Sequence, residues 1–139
     1  MPIVILYTLY YKVYEQKPTK HHETGIIMQE KYERQMKKGV LDMLVLKLLG
    51  EGPKYGYQMI QEMKEKSQGV FALKDGTLYP ILYRLEEEGL VRSKWLGSEG
   101  KQVPRKYYEV TPEGQAALTD ITRTWESIAG GIARIMETK

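Results

Sequence analysis

Two short stretches hold most of the side chains that could do chemistry. The first is Asp75-Gly-Thr-Leu-Tyr-Pro-Ile-Leu-Tyr-Arg-Leu-Glu-Glu-Glu-Gly-Leu90. Leu78, Ile81, Leu82 and Leu85 recur there at helical spacing and make an apolar stripe. Thr77, Tyr79, Pro80, Tyr83 and Arg84 fall largely off it. That second face offers a hydroxyl, two phenols and a guanidinium, groups suited to base edges and phosphates in a nucleic-acid groove. The second stretch is residues 92–108, where Arg92, Lys94, Lys101, Arg105 and Lys106 stand against Glu99 alone, a local charge of +4. Residues 109–139 carry −2, so the modest overall charge of +3 hides a concentrated basic segment. Concentration of this kind suits phosphate contact.

Other chemistries find little support. The chain has no cysteine, which excludes disulfides, thiolate catalysis and zinc–cysteine sites and fits a cytoplasmic setting. His21-His22 has only Glu23 nearby to complete a metal site. No nucleophile–base pair, metal-ligand cluster or glycine-rich phosphate loop is present, so neither an enzyme, a cofactor nor a metal is expected.

The elements that must position these residues can be read in order. Residues 1–27 form an N-terminal extension with an apolar, tyrosine-rich start, Pro2 to Tyr11. That run is too short for a bilayer, which needs roughly 20 residues. It also lacks the basic start and cleavage site of a signal peptide. The extension is expected to be poorly packed, with Met28 a plausible natural start. From about Gln29 to Gly50 the spacing of Tyr32, Met36, Val40, Met43, Leu44 and Leu48 predicts one helix, apolar nearly all round from Val40 to Leu49. A second helix is predicted from near Lys54 to Ser67, with Tyr57, Ile60 and Met63 on its apolar side. The third is the Asp75–Gly89 helix. Either Thr77 or Asp75 can cap it; with Thr77, Pro80 falls in the first turn, where a proline costs little. Short helices joined by a tight turn, the last one polar-faced, make a helix-turn-helix unit.

After Gly89 the period changes from helical to two. Leu90–Leu96 and Arg105–Val110 are predicted strands joined by a loop with two glycines and a proline. A hairpin directly after a recognition helix is a wing, and its tip carries Lys101. Thr111-Pro112-Glu113 starts a last helix with a hydroxyl cap, proline first and an acid next. Along it Leu118, Ile121, Trp125, Ile128, Ile132 and Ile135 alternate spacings of three and four, an a/d seam that predicts association with a second copy. The expected fold is mainly α with a small β-hairpin. It has a winged helix-turn-helix over residues 28–110 and a dimerisation helix over 111–139.

These residues resemble a known family. Lys38-Gly-Val-Leu-Asp-Met-Leu-Val-Leu-Lys-Leu-Leu49, Tyr55-Gly-Tyr57, Asp75-Gly-Thr-Leu-Tyr-Pro-Ile-Leu-Tyr-Arg-Leu85, Glu88-Gly-Leu90, Pro104-Arg-Lys-Tyr-Tyr108 and Thr111-Pro-Glu-Gly114 are similar to the PadR family of bacterial transcriptional regulators, in its short-tailed subfamily. The resemblance implies a homodimeric repressor. Its recognition helices would enter successive major grooves of a palindromic operator and its wings would lie on flanking phosphates. Tyr55, Tyr57, Lys74, Thr77, Tyr79, Pro80, Tyr83, Arg84, Lys101, Arg105 and Lys106 form the DNA-binding set, with Tyr79 alternatively packing on Tyr55. The resemblance also implies release by a small hydrophobic or aromatic effector in some members. Trp125 looks like the tryptophan that lines their ligand pore, and is alternatively a dimer-core anchor. A winged helix used as a protein-interaction module, without specific DNA reading, is the competing function.

Overall fold

A computed structural model describes residues 23–97, 100 and 103–137. In chain order it holds α1 (Glu23–Lys38), α2 (Leu41–Leu49), β1 (Lys54–Tyr55), α3 (Gly56–Lys66), α4 (Asp75–Glu87), β2 (Val91–Leu96), β3 (Arg105–Val110) and α5 (Pro112–Met136). Residues 37–119 cluster into one unit; the segments before and after them belong to another. The expected extension lies outside the described residues up to residue 22, and α1 runs through its boundary at 27.

The helix predicted from Gln29 to Gly50 is two helices. Gly39 and Val40 separate them, with Val40 at φ −111° and ψ −2°. The apolar period survives the break because the turn keeps a nearly helical path. Val40 N–H donates to the Lys37 carbonyl (3.1 Å) and Leu44 N–H to the Val40 carbonyl (3.1 Å). Beyond it, Leu41, Val45, Leu46, Leu48 and Leu49 of α2 are buried, as an apolar-all-round segment requires. They pack with Met59 and Met63 of α3, Leu78, Leu82 and Leu85 of α4, and Val91 and Tyr108 of the sheet. Methionine at 59 takes the place the sequence assigned to Tyr57, which is exposed. The inward face of α3 begins at Gly56, one residue earlier than the predicted stripe, and is buried there.

Neither Thr77 nor Asp75 caps α4. The N-cap is Lys74, in extended conformation, and its carbonyl accepts from Thr77 N–H and Leu78 N–H, both at 3.0 Å. Pro80 therefore sits inside the helix. An interior proline costs about 3 kcal/mol or more, through the lost hydrogen bond and its clash with the carbonyl four residues back. Here that carbonyl belongs to Gly76, which is exposed, so water can serve it. The C-terminus closes on Gly89 at φ 76°, with Leu90 N–H on the Leu85 carbonyl (2.9 Å) and Gly89 N–H on the Glu86 carbonyl (3.0 Å). That pair of bonds is a Schellman motif, in which the left-handed residue favours glycine.

The sheet has three antiparallel strands in the order β1-β3-β2. Its central strand pairs Tyr108 with Ser93, Lys106 with Trp95 and Tyr107 with Lys94 on one side, and Tyr55 with Tyr107 on the other. The two-residue strand β1 was not predicted. It carries a buried lysine, Lys54, whose Nζ lies 2.7 Å from Glu62 Oε2 and 3.5 Å from Glu51 Oε2. The predicted cap of α5 forms. Thr111 Oγ1 accepts from Gly114 N–H (3.0 Å) and donates to the Gly89 carbonyl (2.7 Å), tying the ends of two helices together. A Cβ at Gly114 would overlap the Leu90 carbonyl oxygen, so glycine permits this close approach.

Candidate nucleic-acid interface

Strand alternation sorts the basic residues. Along β3, Lys106 and Tyr108 point to one face and Arg105 and Tyr107 to the other. Tyr108 is buried in the core, so Lys106 extends the core-facing side outward toward α4. Its Nζ lies 5.5 Å from the ring centroids of both Tyr83 and Tyr108. Tyr83 is exposed on α4, and its ring centroid stands 6.2 Å from that of Tyr79. Thr77 and Pro80 are exposed on the same helix, and Lys74 is exposed just before it. The outward face of α4 and the ammonium of Lys106 thus form one continuous polar and aromatic surface.

Tyr79 is only half-buried, yet its phenol end is engaged. A Cβ built on Gly56 would lie 2.7 Å from Tyr79 Cζ, so the ring rests against the first turn of α3 at a position that has room only for glycine. Burial, then Asp75 and Tyr83, raise its phenol above the ordinary range. The ring packs on Gly56, the residue next to Tyr55. The sequence signal for this contact is the Tyr55-Gly-Tyr57 step, in which a small residue interrupts two aromatics.

Arg84 is committed differently from the expectation. Nη1 and Nη2 donate to Asp42 Oδ2 (2.9 Å) and Oδ1 (2.6 Å) on α2, a bidentate pair, and Glu88 stands 3.5 Å away. The Asp42 hydrogen bond, foremost, holds the guanidinium further above its already high range. The fork therefore ties α4 to the first turn of α2.

Arg105 lies on the opposite sheet face from Lys106. Its guanidinium sits 4.5 Å from the Tyr55 ring centroid, and Tyr55 meets Tyr107 edge-on at 5.5 Å. Tyr57 is exposed, and its Oη accepts from Gln61 Nε2 at 3.0 Å. Arg92 pairs with Glu109 across the strands, so part of the charge counted over 92–108 is neutralised by a residue just past that window. Lys94, part of the basic segment but not of the DNA-binding set, joins Arg105 and Tyr107 on the outer face. Lys101 lies outside the described residues. On α5, Leu118, Ile121 and Trp125 are half-buried, while Ile128, Ile132 and Ile135 are exposed. Among the described residues no acidic or histidine cluster could hold a metal, and no helix is long and apolar enough to cross a membrane.

The profile of the Transcriptional regulator PadR-like family matches residues 45–120, more than half of the chain, which includes α3, α4 and the whole sheet. The chain is 32% identical over 96 residues to Transcriptional regulator Rv3488 of Mycobacterium tuberculosis, covering 69% of this chain and 85% of that one. Among solved structures it resembles a PadR family transcriptional regulator from Eggerthella lenta, with a TM-score of 0.76 and 30% identity over 85% of this chain and 100% of that one. A transcriptional regulator from Clostridium thermocellum matches with a TM-score of 0.67 and 33% identity, over 72% of this chain and 96% of that one. PadR-like proteins are DNA-binding winged-helix regulators and not enzymes, as the absence of catalytic pairings in the sequence led us to expect. With its five described helices, the last of them long, and its three-stranded winged sheet, this chain belongs to the PadR-like family of transcriptional regulators.

Proposed function

We propose that this protein is a cytoplasmic repressor that binds a palindromic operator as a homodimer. The observation that carries the reading is the joint surface of α4 and Lys106, where exposed Thr77, Pro80 and Tyr83 adjoin a cation. Thr77 and Tyr83 read base edges in the major groove, with Tyr79 holding the helix start in place. Lys74, Lys106, Lys101 and Arg105 take phosphates. The exposed Ile128, Ile132 and Ile135 of α5 support pairing with a second copy, and a two-fold dimer reads a two-fold site. Trp125, half-buried within the same seam, is the position at which a small hydrophobic or aromatic effector would loosen that pairing.

Salt titration of DNA binding tests the reading, using DNA from upstream of the protein's own gene, located by footprinting, and mixed-sequence duplex. Each neutralised phosphate releases counterions, so affinity falls steeply with salt. Lys106→Ala should weaken both DNAs alike and flatten the salt slope by about one unit. Tyr83→Ala should cost roughly 1–3 kcal/mol on the operator and little on mixed DNA. Loss of salt dependence in the wild type would return the protein-interaction module as the better account.

A further inference from the structure

Trp95 takes no part in the reading above, although it is 67% exposed on the wing. A single exposed apolar side chain is ordinary and by itself means nothing. Its position is what matters. Along β2, Val91, Ser93 and Trp95 share one face, and Val91 is buried. Trp95 is therefore on the core-facing side of the sheet, the side that carries α4, but lies beyond the core's edge. Its partner across the strands is Lys106. Directly opposed residues in an antiparallel pair hold their Cβ atoms about 4.5–5.5 Å apart. Lys106 in turn lies 5.5 Å from the Tyr83 ring centroid. Tyr83, Lys106 and Trp95 so form one strip, phenol to ammonium to indole, running outward from the reading face of α4.

The surroundings of that strip select its occupant. On the strip's own face the charged residue of β2 and β3 is Lys106, and Lys94 and Arg105 add positive charge to the same hairpin from its opposite face. A polyanion suits such a surface. The strip is also continuous with the surface proposed to read DNA. With Thr77 and Tyr83 in a major groove, Lys106 meets the phosphate at the groove's lip. Trp95 lies one step further out on the same face, opposite Lys106. An indole offers an apolar face for deoxyribose C–H groups and an N–H for a phosphate oxygen.

We propose that Trp95 is a DNA-contacting residue that packs its indole on the sugar–phosphate backbone beside the groove entered by α4. It adds affinity that does not depend on sequence. The proposal rests on the DNA reading above and extends it to a residue outside the basic set.

Fluorotryptophan labelling of the full chain tests it. The chain has two tryptophans, and the Trp95 fluorine resonance is the one lost in Trp95→Phe. Mixed-sequence duplex is titrated in at low salt while the anisotropy of an end-labelled duplex reports binding. The Trp95 resonance should shift in step with anisotropy and return when salt is added. Trp95→Ser should weaken mixed duplex and operator alike by about tenfold, the effect of uncovering roughly 60 Å² of apolar surface. Trp95→Phe should retain most of the affinity, and both variants should keep the wild-type circular dichroism, since the side chain is exposed. Duplex binding with an unmoved Trp95 resonance and an unaffected Trp95→Ser overturns the proposal and leaves the DNA reading intact. A resonance that shifts with protein concentration alone overturns it too, because the indole then meets a second copy. Failure of any duplex to bind at any salt removes both.

Discussion

The two units of the chain differ in how their apolar side chains are covered. Every buried hydrophobic among the described residues, from Leu41 to Tyr108, lies within residues 37–119. In the other unit, none of residues 28–36 or 120–137 is buried. That unit is not polar. Met28, Tyr32 and Met36 follow one another at four-residue spacing on α1, and Ile128, Ile132 and Ile135 line α5. All six are exposed. One region thus satisfies its own pattern, and the other displays a pattern that the described residues leave exposed. A helix of 25 residues with an apolar seam rarely stands alone in water, because helical stability comes mostly from packing that seam. The self-sufficient unit is thus residues 37–119, and the uncovered seam of the other supports the proposed dimer.

Substitutions in the two regions should therefore fail in different ways. Ile128→Asp places a charge in the seam of both copies at once. Burial of a side chain of this size is worth roughly 1.5–3 kcal/mol, so the doubled loss plus charge desolvation should dissociate the dimer. Sedimentation should then report a monomer, while the circular dichroism of the folded 37–119 unit persists. Leu82→Ala, in the covered region, should instead cost about 2–5 kcal/mol of folding stability through the cavity it leaves, read as a lower urea midpoint. If Ile128→Asp unfolds the whole chain, or if the wild type is monomeric at micromolar concentration, the contrast between the regions fails.

Much of the covered region was legible because its signals are local. The Leu78, Leu82 and Leu85 stripe, the change to a two-residue period after Gly89 and the Thr111 cap each depend on neighbours within a few positions. What escaped involves partners far apart in the chain. Arg84 looks like a free guanidinium until Asp42, 42 positions earlier, is folded against it. Arg92 looks like part of a basic run until strand register brings Glu109 opposite. Tyr79 looks available to a groove until Gly56 is placed beneath its ring. The division of Arg105 from Lys106 was implicit in the period of two, but the ring each cation meets depends on β1 and α4. The break at Gly39 stayed hidden because a near-helical turn preserves the apolar spacing.

The covered region should also carry a pH signature at high pH. Tyr108 is almost fully buried, its Oη has no hydrogen-bond partner among the described residues, and burial above all pushes its phenol up to about 12 from an ordinary 10. A raised folded-state value means the folded protein keeps this proton after the unfolded chain has released it. The stability it contributes is complete below pH 10 and falls as pH rises from there toward 12. Lysines titrate in the same window, so the comparison with Tyr108→Phe isolates the term. The variant should lose stability less steeply across that range in urea titrations. At neutral pH it should be no less stable than wild type, because removing an unpartnered buried hydroxyl relieves a desolvation penalty. Parallel slopes for the two proteins would mean that the phenol is solvated.

A substitution at Gln68 should stabilise one region slightly without touching the other. Gln68 is the one described non-glycine residue with positive φ, at 54°, and it is exposed. It ends α3 in the left-handed position of a Schellman motif. Gln68 N–H donates to the Glu65 carbonyl (3.1 Å) and Gly69 N–H to the Lys64 carbonyl (2.8 Å). A side chain in that conformation costs about 1–2 kcal/mol. Glycine removes the strain but gives the unfolded chain more freedom, returning roughly 0.4–1 kcal/mol. Gln68→Gly should therefore stabilise by on the order of 0.5 kcal/mol, which for a domain of this size raises Tm by about 2–4 °C. Ser67 Oγ, which accepts from Phe71 N–H at 2.9 Å, fixes the loop that follows and should keep α4 in register. If residues 37–119 hold their own fold, the gain should appear in full in the Ile128→Asp background, where the proposed dimer is gone. A gain confined to the associated protein would show that the covered region borrows its stability from the exposed one.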